Sequence, residues 1–352
     1  MIDLTESCTS PGKTLWRIVN LSGFFFTTPY PWSTIGSSMR NLALLALCLA
    51  LFLLGGFSAS ALDLGKFEKV VVFGDSLSDT GNLFALTQGE DPPPPYGDTF
   101  DGTNKSYPGR FTDGQNWADY FPSVARHFPP LSAYFKDPLS KNATNFAVGG
   151  SLSTDLLTSD AAGLPAQIPT YLTAAGKKAS PEDLYVIWIG ANDFAAGISP
   201  EVTVENIREG IARLAEAGAK TIIVITVPDI SLTPDVRALG PATILAAKEF
   251  VVGANVLLGI ELPVTAFSYR VAVDLVDINQ IFLPVVLSPG RFGFTNSVGA
   301  AFNPTTGKLV PDPNDYVFWD GFHPTTNVHL ISAEFIYRAL ASKPACPAYA
   351  IP

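Results

Sequence analysis

The chain has 352 residues, 47% hydrophobic and 15% charged, which is enough for one large domain or two small ones with an ample core. A net charge of -10 gives no support to phosphate-backbone binding, so nucleic acid is not an expected partner. Cys8, Cys48 and Cys346 are too dispersed for a zinc site or a disulfide framework, and His127, His323 and His329 are the only imidazoles.

Residues 1–38 have no readable helical or strand period and form an N-terminal extension. Met39-Arg40 is followed by an apolar run from Leu42 to Phe57 and by Ala59-Ser60-Ala61. A basic residue, an apolar centre and small residues at the −3 and −1 positions make residues 39–61 a secretory signal peptide. The rival reading is an uncleaved signal anchor, although the run is short for a span of roughly 20 residues. Residues 62–352 read as one domain, with no internal repeat and no linker composition.

Phe67 to Phe73 is expected to be a strand covered on both faces, because its apolar run is β-branched and unbroken. Gly74 ends it, delivering Asp75 and Ser76 to the carboxyl edge, where open α/β sheets hold their ligands. Ser76 there is either a nucleophile or the N-cap of the next helix. Gln88 to Gly109 is a long loop with a Pro92–Pro95 stretch, and Gly109 to Gly114 is a turn. Trp117, Tyr120, Phe121 and Val124 recur at helical spacing, so Gln115 to Arg126 is expected to be helical.

Asn145 to Ser151 reads as a second strand-to-glycine turn, with Gly149 and Gly150 free to take positive φ or to let a group approach closely. Leu184 to Ile189 is a third strand, and it places Asn192 at the same edge as Ser76. Ser199-Pro200 opens a helix that Gly218 closes. Thr221 to Val227 is a fourth strand, Thr243 to Leu258 is helical, and Arg270 to Val276 is a fifth strand. Alternating strands and helices imply a parallel sheet with helices on both faces. In the loop Tyr316 to Thr326, Asp320 and His323 stand three apart around the flexible Gly321, and Pro324 is read as the start of the closing helix.

Serine hydrolysis needs a hydroxyl, a base, a carboxylate that orients the base, and donors for the oxyanion. Ser76, Asp320 and His323 supply the first three. The backbone N–H groups of Ser76 and Gly150 and the side-chain amide of Asn192 would supply the donors. Gly74-Asp75-Ser76-Leu77-Ser78 lacks the second glycine of a G-x-S-x-G elbow, which disfavours the α/β-hydrolase fold.

Four blocks in order resemble the GDSL esterase/lipase family of SGNH hydrolases. They are Phe73–Asn82, Asn145–Gly150, Gly190–Asp193 and Asp320–Thr325. Pro94-Pro95-Tyr96 and Gly109–Gly114 are further similar to the subgroup of plant GDSL lipases and microbial lecithinase/haemolysin-like phospholipases. The resemblance implies a three-layer α/β/α, flavodoxin-like sandwich with a mainly parallel central sheet. It also implies no metal or other cofactor, and hydrolysis of carboxylic esters. Ser76 takes the nucleophile place; Gly150 takes the oxyanion place, with Gly149 close to it. The substrate is left open among lipid, phospholipid, short-chain and carbohydrate acetyl esters. The partners expected are the ester substrate and a transient contact with a membrane surface; a non-catalytic secreted binding module is the alternative of another class.

Overall fold

The computed structural model of the protein describes residues 61–98, 105–138, 143–155 and 163–341. The extension at 1–38 and all but the last residue of the expected signal segment lie outside the described residues.

Four parallel strands form the central sheet in the order β1 (Val70–Gly74), β2 (Leu184–Trp188), β3 (Thr221–Ile225) and β4 (Ala272–Val276). Between and beyond them run α1 (Trp117–Ala125), α2 (Leu164–Ala174), α3 (Pro200–Ala217), α4 (Pro241–Tyr269), α5 (Asn279–Leu287) and α6 (Thr326–Ala341). Side chains alternate across a strand, so each strand feeds two cores. Val71 and Phe73 of β1 pack with α2, α3 and α4, among them Ile168, Ile211 and Leu258. Val70 and Val72 face the other way, toward Trp117 and Phe121 of α1 and Ala333 and Ile336 of α6. The three-layer α/β/α sandwich follows directly from that alternation.

The expected second strand is a correction. Thr144–Phe146 lies along the free edge of β1, with Val72 N–H donating to Thr144 O (2.8 Å) and Phe146 N–H to Val72 O (2.8 Å). It makes only isolated bridges, from Asn145 to Val72 and to Ala133. Contact with β1 continues, the Val148 N–H donating to Gly74 O at 3.2 Å, but the ladder is broken between, because the Gly74 N–H donates to Gln167 and the Asn145 side chain accepts the Ala147 N–H at 2.9 Å. Counted as the second strand, the segment completes the flavodoxin-like order 2-1-3-4-5. The order reverses between β1 and β2, so a crevice opens outside their carboxyl ends, where Ser76 and Asn192 follow.

Other boundaries differ for local reasons. Phe67 closes a 3-10 turn by donating to Leu64 O, and β1 starts three residues later. The helix expected from Ser199 is present: the Ser199 side chain caps α3 and Gly218 ends it. α4 extends at both ends beyond the expected Thr243–Leu258 and continues through Pro263. Pro324 does not start the closing helix. It bridges to Phe318, and α6 begins at Thr326, whose N–H donates to the Asp113 carboxylate at 2.7 Å. α2, absent from the sequence reading, packs Leu164 and Ile168 into the core.

By length and composition α4 is apolar enough to cross a membrane. Here Ala247, Phe250, Ala254 and Leu258 bury one face in the domain core. Val252, Val256, Ile260, Val264 and Phe267 stay exposed on the opposite face. Two small sheets flank the site: β5 (Asn296–Ala300) pairs with β8 (Tyr316–Phe318), and β6 (Phe302–Asn303) pairs with β7 (Lys308–Leu309).

Candidate active site

Ser76 leaves the carboxyl end of β1 in a tight turn. The Asp75 carboxylate accepts the Leu77 N–H at 3.0 Å, while Ser78 and Asp79 donate back to the Asp75 carbonyl. Gln167 of α2 fixes the preceding residue from both sides. Its carbonyl accepts the Gly74 N–H at 2.9 Å, and its amide donates to Gly74 O at 2.8 Å and to Ser151 Oγ at 3.1 Å. One side chain thus joins the Ser76 turn to the glycine turn.

His323 Nε2 lies 2.8 Å from Ser76 Oγ, and its Nδ1 lies 2.8 Å from Asp320 Oδ2. A hydrogen-bonded line therefore runs from hydroxyl to imidazole to carboxylate across a sequence separation of 247 residues. Asp320 Oδ1 accepts the Phe322 and His323 N–H groups at 2.7 and 2.6 Å, which folds the loop back on itself. Tyr96 donates its hydroxyl to Asp320 Oδ2 at 2.7 Å. The Tyr96 ring is wedged edge-on against Phe111, Phe302 and Trp319, so the donor is held by packing.

Burial would raise the Asp320 carboxyl. The His323 charge beside it, the Tyr96 hydroxyl and the backbone donors outweigh that cost and hold it below its usual range. Burial would likewise lower His323, and the Asp320 carboxylate overrides it, raising the imidazole above its ordinary 6.5. His329, one turn along α6, has no such partner: burial and then the His323 charge push it down to about 3, so it stays neutral. Burial raises Asp75 to about 7, opposed by the Leu77 N–H and the His323 charge. Its Oδ2 has no hydrogen-bond partner among the described residues.

The glycine turn faces the same hydroxyl. The Gly149 N–H donates to Asp79 Oδ2 at 2.9 Å, so it is not available to a ligand. A Cβ on Gly149 would stand 2.3 Å from the Phe111 ring, which explains a glycine there. Gly150 takes φ +75°, the left-handed region that favours glycine, and its N–H has no acceptor among the described residues. The Ser76 N–H is equally uncommitted among them. Asn192 follows the αL residue Gly190 at the end of β2, and one Nδ2 hydrogen donates to Ser151 O at 3.0 Å. That bond ties the amide to the Gly150 turn and leaves its second hydrogen free to donate.

Several supporting residues were not legible as site residues. Asp79 accepts the N–H groups of Gly81, Asn82, Leu83 and Gly149, so one buried carboxylate organises both the nucleophile turn and the glycine turn. Asn82 extends the link through Asn145 O and Ala147 O. Tyr96 and Gln167 act across 224 and 93 residues, and no local pattern marks either partner. Arg110 clamps Asp119 in a two-pronged bond of 3.0 and 2.7 Å, and Thr112 Oγ1 donates to Pro324 O at 2.8 Å. The Gly109–Gly114 turn is thereby fixed to the His323 loop, and Phe111 stacks beside the imidazole at 5.2 Å. Among the described residues no group of acidic, His and Cys side chains is disposed to hold a metal ion.

A recess of 220 Å³ opens beside Ser76, Asn192 and His323, with Trp188, Ile278, Phe282 and Val328 among its walls. The polar cluster and its recess thus sit at the reversal point of a three-layer α/β/α sheet, a ligand position for doubly wound enzymes. The chain belongs to the GDSL-like lipase/acylhydrolase family, whose model matches residues 70–336, and is a hydrolase of carboxylic esters. It is 28% identical to the thermolabile hemolysin of Vibrio parahaemolyticus over 78% of this chain and 64% of that protein, so it spans less than two thirds of that relative. It is 25% identical to the phosphatidylcholine-sterol acyltransferase of Aeromonas hydrophila, over 76% of this chain and 88% of that protein. The GDSL esterase/lipase 5 of Arabidopsis thaliana is 26% identical, over 82% and 87% of the two chains.

Proposed function

We propose that the protein is an exported serine esterase in which Ser76 attacks the acyl carbon of a lipid ester. His323 Nε2 accepts the Ser76 proton as the Oγ–C bond forms, and Asp320 holds the tautomer that leaves Nε2 free. The oxyanion is met by the Ser76 and Gly150 N–H groups and the free Asn192 amide hydrogen. His323 then returns the proton to the departing alkoxide as the C–O bond breaks. Water, deprotonated by the same imidazole, releases the acid and regenerates Ser76. The observation that carries this reading is the continuous line from Ser76 Oγ through His323 to Asp320 Oδ2, each bond 2.8 Å.

An ester carried by lipid is favoured over an acetylated carbohydrate. The recess beside Ser76 is mainly apolar. The exposed Val252, Val256, Ile260, Val264 and Phe267 offer an apolar stripe for transient contact with a lipid surface. Two of the relatives carry the names hemolysin and phosphatidylcholine-sterol acyltransferase, which agrees with that substrate class. Export rests on Arg40, the apolar run and Ala59-Ser60-Ala61, and a relative 32% identical over 49% of this chain is named a secreted effector protein. Terminal sequencing of exported material should begin at or near Leu62; the intact chain in the membrane fraction would point to an anchor instead.

The test is the rate of p-nitrophenyl ester hydrolysis by Ser76→Ala. It should fall by roughly 10⁴- to 10⁶-fold with the fold intact. A variant that keeps more than a few per cent of the rate would remove Ser76 from the nucleophile role.

A further inference from the structure

The recess beside Ser76 has a definite volume, 220 Å³, as well as a definite wall. α6 begins three residues after His323, and Val328, His329 and Ser332 line the recess from successive positions of that helix. From Thr326 to Ser332 the helix rises about 9 Å. Ile278, just past the end of β4, and Phe282 of α5 add to the lining. Ser332 turns its hydroxyl back to Val328 O at 2.8 Å, and so offers the recess no free donor. His329, neutral and only 2% exposed, brings no charge. No lysine or arginine lines the recess, Asp75 is its carboxylate, and His323 is its one group able to carry positive charge. Away from His323 an anionic tail meets no cation there, and an alkyl chain meets mainly apolar walls.

We infer that this recess receives the acyl part of the ester, and that its volume selects straight chains of about six to ten carbons over acetyl and over long fatty acyl groups. The inference rests on Ser76 being the nucleophile. The order of bond changes assigns the acyl side. When Ser76 Oγ displaces the alkoxide, the alcohol leaves with the proton from His323 and water must enter by the path it vacates. The acyl group stays bonded to Oγ through both steps, so it is the part that a recess of limited volume beside Oγ can hold. An apolar cavity of about 150 Å³ accepts the six carbons of benzene. On the same scale the 220 Å³ recess takes a chain of the stated length. Acetyl leaves it nearly empty, and a sixteen-carbon chain must leave its end outside.

The experiment is kcat/KM of the full chain on p-nitrophenyl esters from acetate to palmitate. Each buried methylene contributes about fourfold. The maximum should fall between hexanoate and decanoate, more than fiftyfold above acetate, with palmitate at least tenfold below it. Ser332→Phe adds a ring to the lining, reduces the volume, and should move the maximum to butyrate or shorter. Phe282→Ala opens the wall and should move it to dodecanoate or longer, which keeps the test alive if the first variant does not fold. A parent maximum at acetate or palmitate, or a maximum that neither variant moves, overturns the assignment. Ester hydrolysis that survives in Ser76→Ala overturns instead the nucleophile on which it rests, so the two failures are told apart.

Discussion

Asn192 has two amide hydrogens, and the structure commits one of them to Ser151 O. Replacing Asn192 by Ala removes the second donor and the tie to the Gly150 turn together. It should lower kcat by about 100- to 1,000-fold with little change in KM. In the proposed mechanism Asn192→Asp puts a carboxylate beside the oxyanion and should cost more than Ala. A kcat within threefold of the parent for Asn192→Ala would leave Asn192 as a turn residue only. Tyr96 calls for a pH profile. His323 is raised above its ordinary 6.5, and it must be neutral to take the Ser76 proton, so kcat/KM should fall as pH drops through that raised value. The Tyr96 hydroxyl stabilises the Asp320 carboxylate and so weakens its pull on the imidazole. Tyr96→Phe should therefore move the acidic limb to higher pH while the plateau changes by about tenfold or less. A limb that stays in place or moves down would mean that Tyr96 only fills space.

At the scale of elements, the strand ends and their glycines could be read from the sequence because they are local. An apolar run stopped by Gly74 or Gly190 announces both the strand and the turn that follows. The donors and clamps could not, since each acts between elements. Gln167 sits in α2, a helix of weak amphipathic pattern with Pro at positions 165 and 169, and its bonds reach the end of β1. Gln167→Ala leaves the Gly74 N–H without a partner in a buried site and its carbonyl with only the Val148 N–H at 3.2 Å. A cost of about 1 to 3 kcal/mol in urea unfolding is expected, the range for one unsatisfied buried group. Loss below about 0.5 kcal/mol would show that other groups or water replace the amide. The Thr144–Phe146 segment misled for a related reason: its composition suits a strand, but the Gly74 N–H that would continue the ladder goes to the Gln167 side chain.

At the scale of the molecule, two buried groups beside the site set opposite responses to pH. Unfolded, His329 takes a proton near 6.5, and folded only near 3. The unfolded chain binds more protons in that window, so this contribution is intact above 6.5 and is lost as pH falls toward 3. Asp75 rises from 3.8 to about 7 on folding, so the folded chain binds more protons there and its contribution is lost as pH rises through that range. The two slopes oppose each other between 3.8 and 6.5. Asp75→Asn removes the second, and its stability should fall more steeply with acid over that interval than the parent's. Urea midpoints at a series of pH values check this, and parallel profiles would contradict it. The overall architecture was legible because alternating strands and helices leave few topologies for a parallel sheet. The shape of the recess was not, because Ile278 and Phe282 come from one stretch of chain and Val328 and Ser332 from another, and they converge only after packing.

The most direct test of the central claim is covalent labelling of the intact protein with a fluorophosphonate, followed by peptide mapping. The serine held 2.8 Å from the His323 imidazole should be the one that reacts. The account predicts a single adduct on Ser76, absent from Ser76→Ala and strongly slowed in His323→Ala. An adduct on another serine, or no adduct on a folded and ester-cleaving protein, would contradict it.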